Sequence, residues 1–362
     1  MMTNRRSFLK KSALVMAASS VPFPHYLYAH QKPKLGVALV GLGYYSKDLL
    51  APALQLTKHC ELKGIVTGTP EKIPVWKSKY GIPDRNIYNY DNMHQIANNE
   101  DIDVVYIVLP NTMHKKYTII AAEAGKHVWC EKPMATSVKD CEEMIASCMK
   151  NKVNLTIGYR MQHEPVTNKI IEMASSKPFG KINTLTAEAG FFNRGGDGTH
   201  WKLHKELGGG AMFDMGVYPL NAVRYATGLE PISVSARMEN SRPELIKVDE
   251  TTFFDLDFPG GIKARCKTSF AENLNHLKID CAKGWYELQP FQSYSGVTGK
   301  TSEGTIFKAF AGNQQARQMD DDALAIMNNT QVIVPGAEGL KDIRVVEAIF
   351  ESIQKKGMTI QI

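Results

Sequence analysis

The chain has 362 residues, 43% of them hydrophobic, with 43 basic and 37 acidic side chains and a formal charge of +6. That length suits two domains. Arg5, Arg6, Lys10 and Lys11 lie in a stretch without carboxylates, and setting them aside lowers the charge to +2, too near balance to suggest a nucleic-acid partner.

Arg5-Arg6-Ser7-Phe8-Leu9-Lys10 precedes an apolar run, Leu14 to Val21, that is too short to span a bilayer. This is the pattern of a twin-arginine leader, expected over residues 1–30, which would engage the twin-arginine export machinery and deliver the protein to the periplasm. A basic N-terminus with a short buried helix is the bland alternative. Ala29 is a weak cleavage point because Leu27, two before it, is large, so a retained anchor stays open. The six cysteines, 60, 130, 141, 148, 266 and 281, include no Cys-x-x-Cys pair; they are expected to be buried free thiols, and no metal is expected.

From Lys34 short apolar runs alternate with helical stretches: Leu35–Val40, then Leu49 to Leu56, then Leu62–Val66. The alternation continues through Val104–Leu109, a helix over 115–124, Lys126–Cys130, a helix opened by Ser137 with Asp140 three residues on, and Asn154–Gly158. Continuous apolar strands between helices are parallel strands buried on both faces, so residues 31–160 read as an α/β, doubly wound Rossmann domain.

Residues 161–362 read as an α+β domain with an open, mainly antiparallel sheet. Strands at Thr251–Phe258 and Ile262–Ser269 are joined by Pro259-Gly260-Gly261 as a hairpin. Helices over 165–174, 214–226 and 319–327 are expected to cover one face of the sheet, and a helix over 340–354 to end the chain and pack back on the first domain. The sheet's uncovered face should drive homo-oligomerisation, as dimer or tetramer.

Gly41-Leu42-Gly43-Tyr44-Tyr45-Ser46 follows the first strand and opens a helix, the place where a backbone turns tightly and meets a pyrophosphate; Ser46 replaces the third glycine. The second strand ends Val66-Thr67-Gly68-Thr69 with Lys72 behind it and no acid to accept from an adenosine 2′-hydroxyl. Hydroxyl donors and one cation favour a 2′-phosphate, hence NADP(H) over NAD. Cys130-Glu131-Lys132-Pro133 ends a parallel strand at the ligand crevice. Beyond Gly208-Gly209-Gly210, Asp214 and Tyr218 stand at i and i+4 on one helix face. Taken singly, a cap and a core tyrosine would be the ordinary readings.

These residues resemble the glucose-fructose oxidoreductase, inositol dehydrogenase and rhizopine catabolism family, and within it the glucose-fructose oxidoreductase branch. The likeness rests on Gly125 to Thr136, on Ile157-Gly158-Tyr159-Arg160 with Glu164-Pro165, on Gly208 to Gly228, and on Pro335 to Arg344. It implies that Lys132, Asp214 and Tyr218 are the catalytic group. It also implies cofactor contacts at Gly41, Gly43, Tyr44, Thr67, Lys72, Tyr88, Leu109, Asn111, His114, Glu131, Arg160, Trp201, Lys202 and Tyr294, with Leu42 and Tyr45 in the same turn. Many members carry His where this chain has Tyr218, and the branch's longer proline-rich arm has no counterpart in the short segment from His30 to Lys34.

The chemistry agrees. Oxidising a sugar at C1 needs a base for the hydroxyl proton as hydride leaves, and Tyr218 beside the positive Lys132 suits that role, with Asp214 orienting a substrate hydroxyl. The periplasm has no obvious supply of free dinucleotide, so export implies a cofactor held throughout and recycled by a second sugar or carbonyl compound. Three rivals stay open: an ordinary dehydrogenase or reductase with exchangeable cofactor, an NAD-dependent glycosidase, whose Gly-His repeats are replaced by Gly195-Gly-Asp-Gly-Thr-His200, and a non-catalytic sugar- or nucleotide-binding protein.

Overall fold

The computed structural model describes residues 32–196 and 198–362; the segment expected to be a twin-arginine leader, residues 1–30, lies outside them. Strand β1 (Leu35–Val40) is buried along its whole length, which an uninterrupted apolar run achieves only in the middle of a covered sheet. A π-helical turn, Tyr45–Leu50, runs into α1 (Ala51–Leu54) and leads to β2 (Cys60–Val66). Helix α2 (Ile73–Tyr80), β3 (Ile87–Tyr88), β4 (Val104–Ile107), α3 (His114–Glu123), β5 (His127–Cys130), α4 (Val138–Lys150) and β6 (Leu155–Ile157) follow. Ser137 caps α4 by accepting from the Asp140 amide at 3.1 Å. The six strands are parallel in the order β3-β2-β1-β4-β5-β6. The order reverses between β1 and β4, so a crevice opens beyond their C-terminal ends, where Gly41 and Leu109 stand.

Pro165 starts α5 (Pro165–Ser176), whose N-terminus is capped by the Glu164 carboxylate on the Thr167 amide at 2.7 Å. The second domain then builds a nine-stranded sheet from β7 (Ile182–Gly190), β8 (Ser233–Glu239), β9 (Thr251–Phe258), β10 (Ile262–Ser269), β11 (Leu274–Cys281), β12 (Gly284–Leu288), β13 (Gly299–Thr301), β14 (Ile306–Phe307) and a last strand, β15 (Ile360–Gln361). All its pairings are antiparallel except the central β7–β10 pair. Helix α6 (Val217–Thr227), also preceded by a π-helical turn, Met212–Gly216, lies on β7 and β10. The opposite face turns outward side chains such as Arg237, stacked 3.7 Å from the Phe253 ring, and Trp285 beneath Lys278.

Three expectations are corrected. Helix α7 (Gln314–Met327) does not cover the second sheet: Ala316, Met319 and Ala323 are buried among Leu39, Leu54, Leu62 and Ile65 of the first domain. The chain does not end at α8 (Gly336–Gln354), because a tight turn sends β15 back onto the edge of β8. Cys281, at the end of β11, is only half buried, whereas the other five thiols are buried. Helix α8 itself packs on β8 and also on α4 and β6, with Gly336 and Gly339 close against Leu155 and Met134. Buried Arg224 of α6 ties this arrangement together through Asp342 at 2.6 Å and Glu338 at 2.9 Å.

Candidate active site

The crevice at the β1/β4 reversal continues into a cleft of about 480 Å³ walled by both domains. Gly41 has φ +89°, and a Cβ there would come within 2.3 Å of the Val108 carbonyl, so the turn accepts only glycine. Gly43 faces open space, with nothing within 4 Å of the position a Cβ would take, which leaves its amide approachable. Ser46, in place of a third glycine, is buried and donates from its hydroxyl to the Gly41 carbonyl at 2.5 Å, bracing the turn. This open, donor-rich cradle at a helix start fits a dinucleotide pyrophosphate.

At the adenosine side, Thr67 is buried and its hydroxyl accepts from the Thr69 amide at 3.1 Å. Lys72 reaches back across the cleft and donates to the Leu42 carbonyl at 2.9 Å. Tyr88, expected here, is elsewhere: its hydroxyl accepts from Asn99 at 2.7 Å, away from the cleft. Its place is taken by Tyr90, which packs over Gly68 so closely that a Cβ there would meet the ring at 2.7 Å. The exchange follows from the turn Asn89–Asn92, in which Asn89 and Asn92 each hydrogen-bond the other's backbone amide and reverse the chain after β3. His114 also misses the cleft: its ring is buried with one nitrogen 2.9 Å from the Pro133 carbonyl and the other 2.9 Å from that of Leu109, so it fixes two cleft loops without facing a ligand. Asn111 lines the cleft and donates to the Gly208 carbonyl at 2.7 Å, joining the domains.

Leu42, Tyr44, Tyr45, Leu109, Glu131, Trp201, Lys202 and Tyr294 all line this cleft with Lys132, Asp214 and Tyr218. Glu131 accepts from the Tyr106 phenol at 2.6 Å, and burial pushes its carboxyl above the usual value. Lys132, next to a cis peptide bond to Pro133, donates to the Asp214 carbonyl at 2.7 Å and lies 4.6 Å from the centre of the Tyr218 ring. Burial works against the Lys132 ammonium, but Tyr218 and Asp214 outweigh it and the pKa rises. The Asp214 carboxylate stands 2.8 Å from Lys202 and 3.8 Å from Lys132. Burial opposes its charge as well, yet Lys202 and Lys132 together hold its pKa below the usual carboxylate range.

Asp214 owes its position to Asp249, which sequence reasoning missed. The Asp249 carboxylate accepts from the Met212 amide at 2.6 Å, and Gly210, at φ +121°, leaves it room, since a Cβ there would fall 1.9 Å from Asp249 Oδ1. Burial raises the Asp249 pKa to about 6. Tyr294 crosses from the β12–β13 connection to pack against Tyr45, with ring centres 5.9 Å apart and planes tilted by 40°. Arg160, expected to touch cofactor, is 1% exposed and lies behind Tyr294, so it does not line the cleft.

A phosphate-accepting glycine turn on a doubly wound sheet, facing a lysine, a carboxylate and a phenol from a second domain, defines an NAD(P)-dependent oxidoreductase. The chain belongs to the GFO/IDH/MocA family: the family's N-terminal model, an oxidoreductase family with NAD-binding Rossmann fold, matches residues 35–159, and the GFO/IDH/MocA C-terminal domain matches residues 167–287. It is similar to the aldose-aldose oxidoreductase of Caulobacter crescentus, solved with glycerol, at 38% identity and TM-score 0.87, over 91% of this chain and 100% of that one. It is 29% identical to D-xylose 1-dehydrogenase [NADP(+)] of Haloarcula marismortui over 88% of this chain and 91% of that one. Scyllo-inositol dehydrogenase of Lactobacillus casei, solved with NAD(H) and scyllo-inositol, shares the fold at TM-score 0.75 and 20% identity, over 91% of this chain and 99% of that one.

Proposed function

We propose that the protein is an exported, homo-oligomeric sugar oxidoreductase that holds NADP(H) through repeated turnovers, oxidising an aldose to its lactone and reducing a second sugar or carbonyl compound. The observation that carries this reading is the convergence of Tyr218, Lys132 and Asp214 on one cleft with the glycine turn. The 38% likeness to an aldose-aldose oxidoreductase supports the choice of sugar on both sides of the reaction. Thr67, Thr69 and Lys72, with no acid among them, support the 2′-phosphate. The paired arginines of the leader support export.

When bound, the dinucleotide takes up and returns a hydride. Tyr218 takes the proton of the anomeric hydroxyl as the carbon loses hydride, and a lactone results. With the second sugar the phenol gives that proton to the carbonyl oxygen, which returns the site to its starting state. Lys132 keeps positive charge against the phenol in both directions, and Asp214, made a firm anion by Lys202 and Lys132, is an acceptor for a neighbouring sugar hydroxyl.

A second reading, the same oxidation with freely exchanging NADP, is favoured by the likeness to an NADP-linked xylose dehydrogenase. One experiment separates the two. Protein taken from the periplasmic fraction and dialysed exhaustively should release close to one NADP per chain on denaturation. Mixed with an aldose alone, it should show one equivalent of reduced-nicotinamide absorbance, and it should turn over only when a second carbonyl compound is added. Empty protein that needs added dinucleotide establishes the exchanging enzyme, bound NAD overturns the reading of Thr67 and Lys72, and recovery in the cytoplasmic fraction overturns export.

A further inference from the structure

Arg160 has no carboxylate. The side chain is 1% exposed, and among the described residues no acidic oxygen stands within 4.0 Å of it. Two other arginines do meet carboxylates. Arg224 meets Asp342 and Glu338, and Arg242 meets Glu250 at 2.5 Å. The Arg160 guanidinium is held instead by neutral acceptors: the Ser293 carbonyl at 3.0 Å, the Gln314 side-chain oxygen at 2.5 Å, the Met161 sulfur at 2.8 Å and the Gln292 carbonyl. Its Nε is buried and finds no acceptor. A guanidinium does not lose its proton, so this is a permanent buried charge, and leaving one uncompensated costs several kcal/mol in general.

What faces it is phenolic. The guanidinium carbon is 4.8 Å from the Tyr294 ring centre and 5.7 Å from that of Tyr218, and it comes within hydrogen-bonding reach of the Tyr218 side chain. The groups facing the Tyr218 phenol from the packed elements are Lys132, Asp214, Arg160, Tyr294, Tyr45 and Tyr159. Burial raises the pKa of the last three, which keeps them neutral. Asp214 has its own partner in Lys202 at 2.8 Å. Buried Glu131 acts on Lys132 and Arg160 from farther off, as Glu164 does on Arg160, but neither carboxylate pairs with the guanidinium, so Lys132 and Arg160 are the two cations beside the phenol.

We propose that Arg160 is a positioning residue for Tyr218: the counter-charge it lacks is the Tyr218 phenolate, which it stabilises whenever the phenol must act as base. This rests on the reading of Tyr218 as the acid/base group. It gives Arg160 a part in the chemistry without contact to substrate or cofactor, and it explains why the guanidinium is anchored by four neutral acceptors that fix its place without pairing its charge.

The test is the pH dependence of aldose oxidation by the cofactor-loaded protein in Arg160→Gln and Arg160→Lys. Arg160→Gln should lose about tenfold or more in kcat at neutral pH and regain most of it as the pH is raised, with its profile displaced toward alkaline pH. Arg160→Lys should keep the wild-type profile position at a lower rate. A loss in Arg160→Gln that is the same factor at every pH overturns the proposal and leaves Arg160 a structural latch. Should Arg160→Gln fail to fold, Arg160→Lys decides alone: an unmoved profile supports the proposal and an alkaline displacement overturns it. Tyr218→Phe run in parallel separates the layers, because near wild-type turnover there defeats the acid/base reading itself, whereas an inactive Tyr218→Phe with an unmoved Arg160→Gln profile defeats the role of Arg160 alone.

Discussion

The two ends of the cleft are built in opposite ways. The adenosine end draws Thr67, Thr69, Lys72 and Tyr90 from one short stretch of one domain, and the Lys72 ammonium donates to a neutral group, the Leu42 carbonyl at 2.9 Å. The reaction end draws Lys132, Arg160, Lys202, Asp214 and Tyr218 from separate segments of both domains, and each charge there is set by another. A lightly coupled end can be retuned one residue at a time. A coupled end fails as a unit, because removing one charge leaves others buried without compensation.

That contrast can be broken most sharply at Tyr218. Tyr218→Phe removes the phenolic oxygen of the ring that both Lys132 and Arg160 face, and it should lower kcat by about 10²-fold or more while one dinucleotide per chain stays bound. Single-turnover absorbance and cofactor content measure the two effects separately, and joint loss of both would mean that the ends are not independent. A smaller effect is expected at the other end. Thr67→Asp sets a carboxylate against a 2′-phosphate and offers an acceptor to a 2′-hydroxyl, so NADP retention should fall relative to NAD by on the order of 1–3 kcal/mol, with the sugar-oxidation rate of loaded protein little changed. Competition between the two dinucleotides for unloaded protein checks this, and an unaltered preference would remove Thr67 from cofactor choice.

The smallest effect concerns stability behind the reaction end. Burial pushes the Asp322 carboxyl up to about 7, against a weaker pull from His163, whose ring nitrogen is 4.0 Å away. A pKa raised in the fold above the unfolded value of about 3.9 means stability that is complete at low pH and is lost as pH rises through about 7. Asp322→Asn should therefore raise the unfolding midpoint by a few degrees at pH near 8 and leave it close to wild type near pH 4. Equal midpoints at the alkaline pH would show that the buried carboxylate is already compensated.

The first domain was legible because its signals are local. Five of its six strands write themselves as apolar runs, all but the two-residue edge strand β3, and Gly41 marks a turn that sterics allow to no other residue. The site was less so, and its gaps have physical causes. Tyr88 and Tyr90 differ by two residues in sequence, and only the Asn89–Asn92 turn decides which ring meets the cleft. Lys202 reaches Asp214 because Gly209 and Gly210 fold their amides back onto the His204 and Lys202 carbonyls, a closure that leaves no periodic trace in the sequence. Asp249 caps a helix start 37 residues earlier in the chain, so no capping pattern announces it. Arg160, assigned to the cofactor by family resemblance, sits one layer behind it.

Helix α7 carries a consequence for how this chain is made. Ala316, Met319 and Ala323 complete the hydrophobic layer beneath β1 and β2, and that layer is closed by residues synthesised some 250 positions after those strands. A ribosome that has released the whole Rossmann segment has not yet supplied its last wall, and burying a methionine such as Met319 is commonly worth about 2–3 kcal/mol. The dinucleotide-binding half is therefore a late product of translation, finished almost together with the half that carries Tyr218, and neither can be cut out and grafted elsewhere along its sequence boundary without exposing the core of the other.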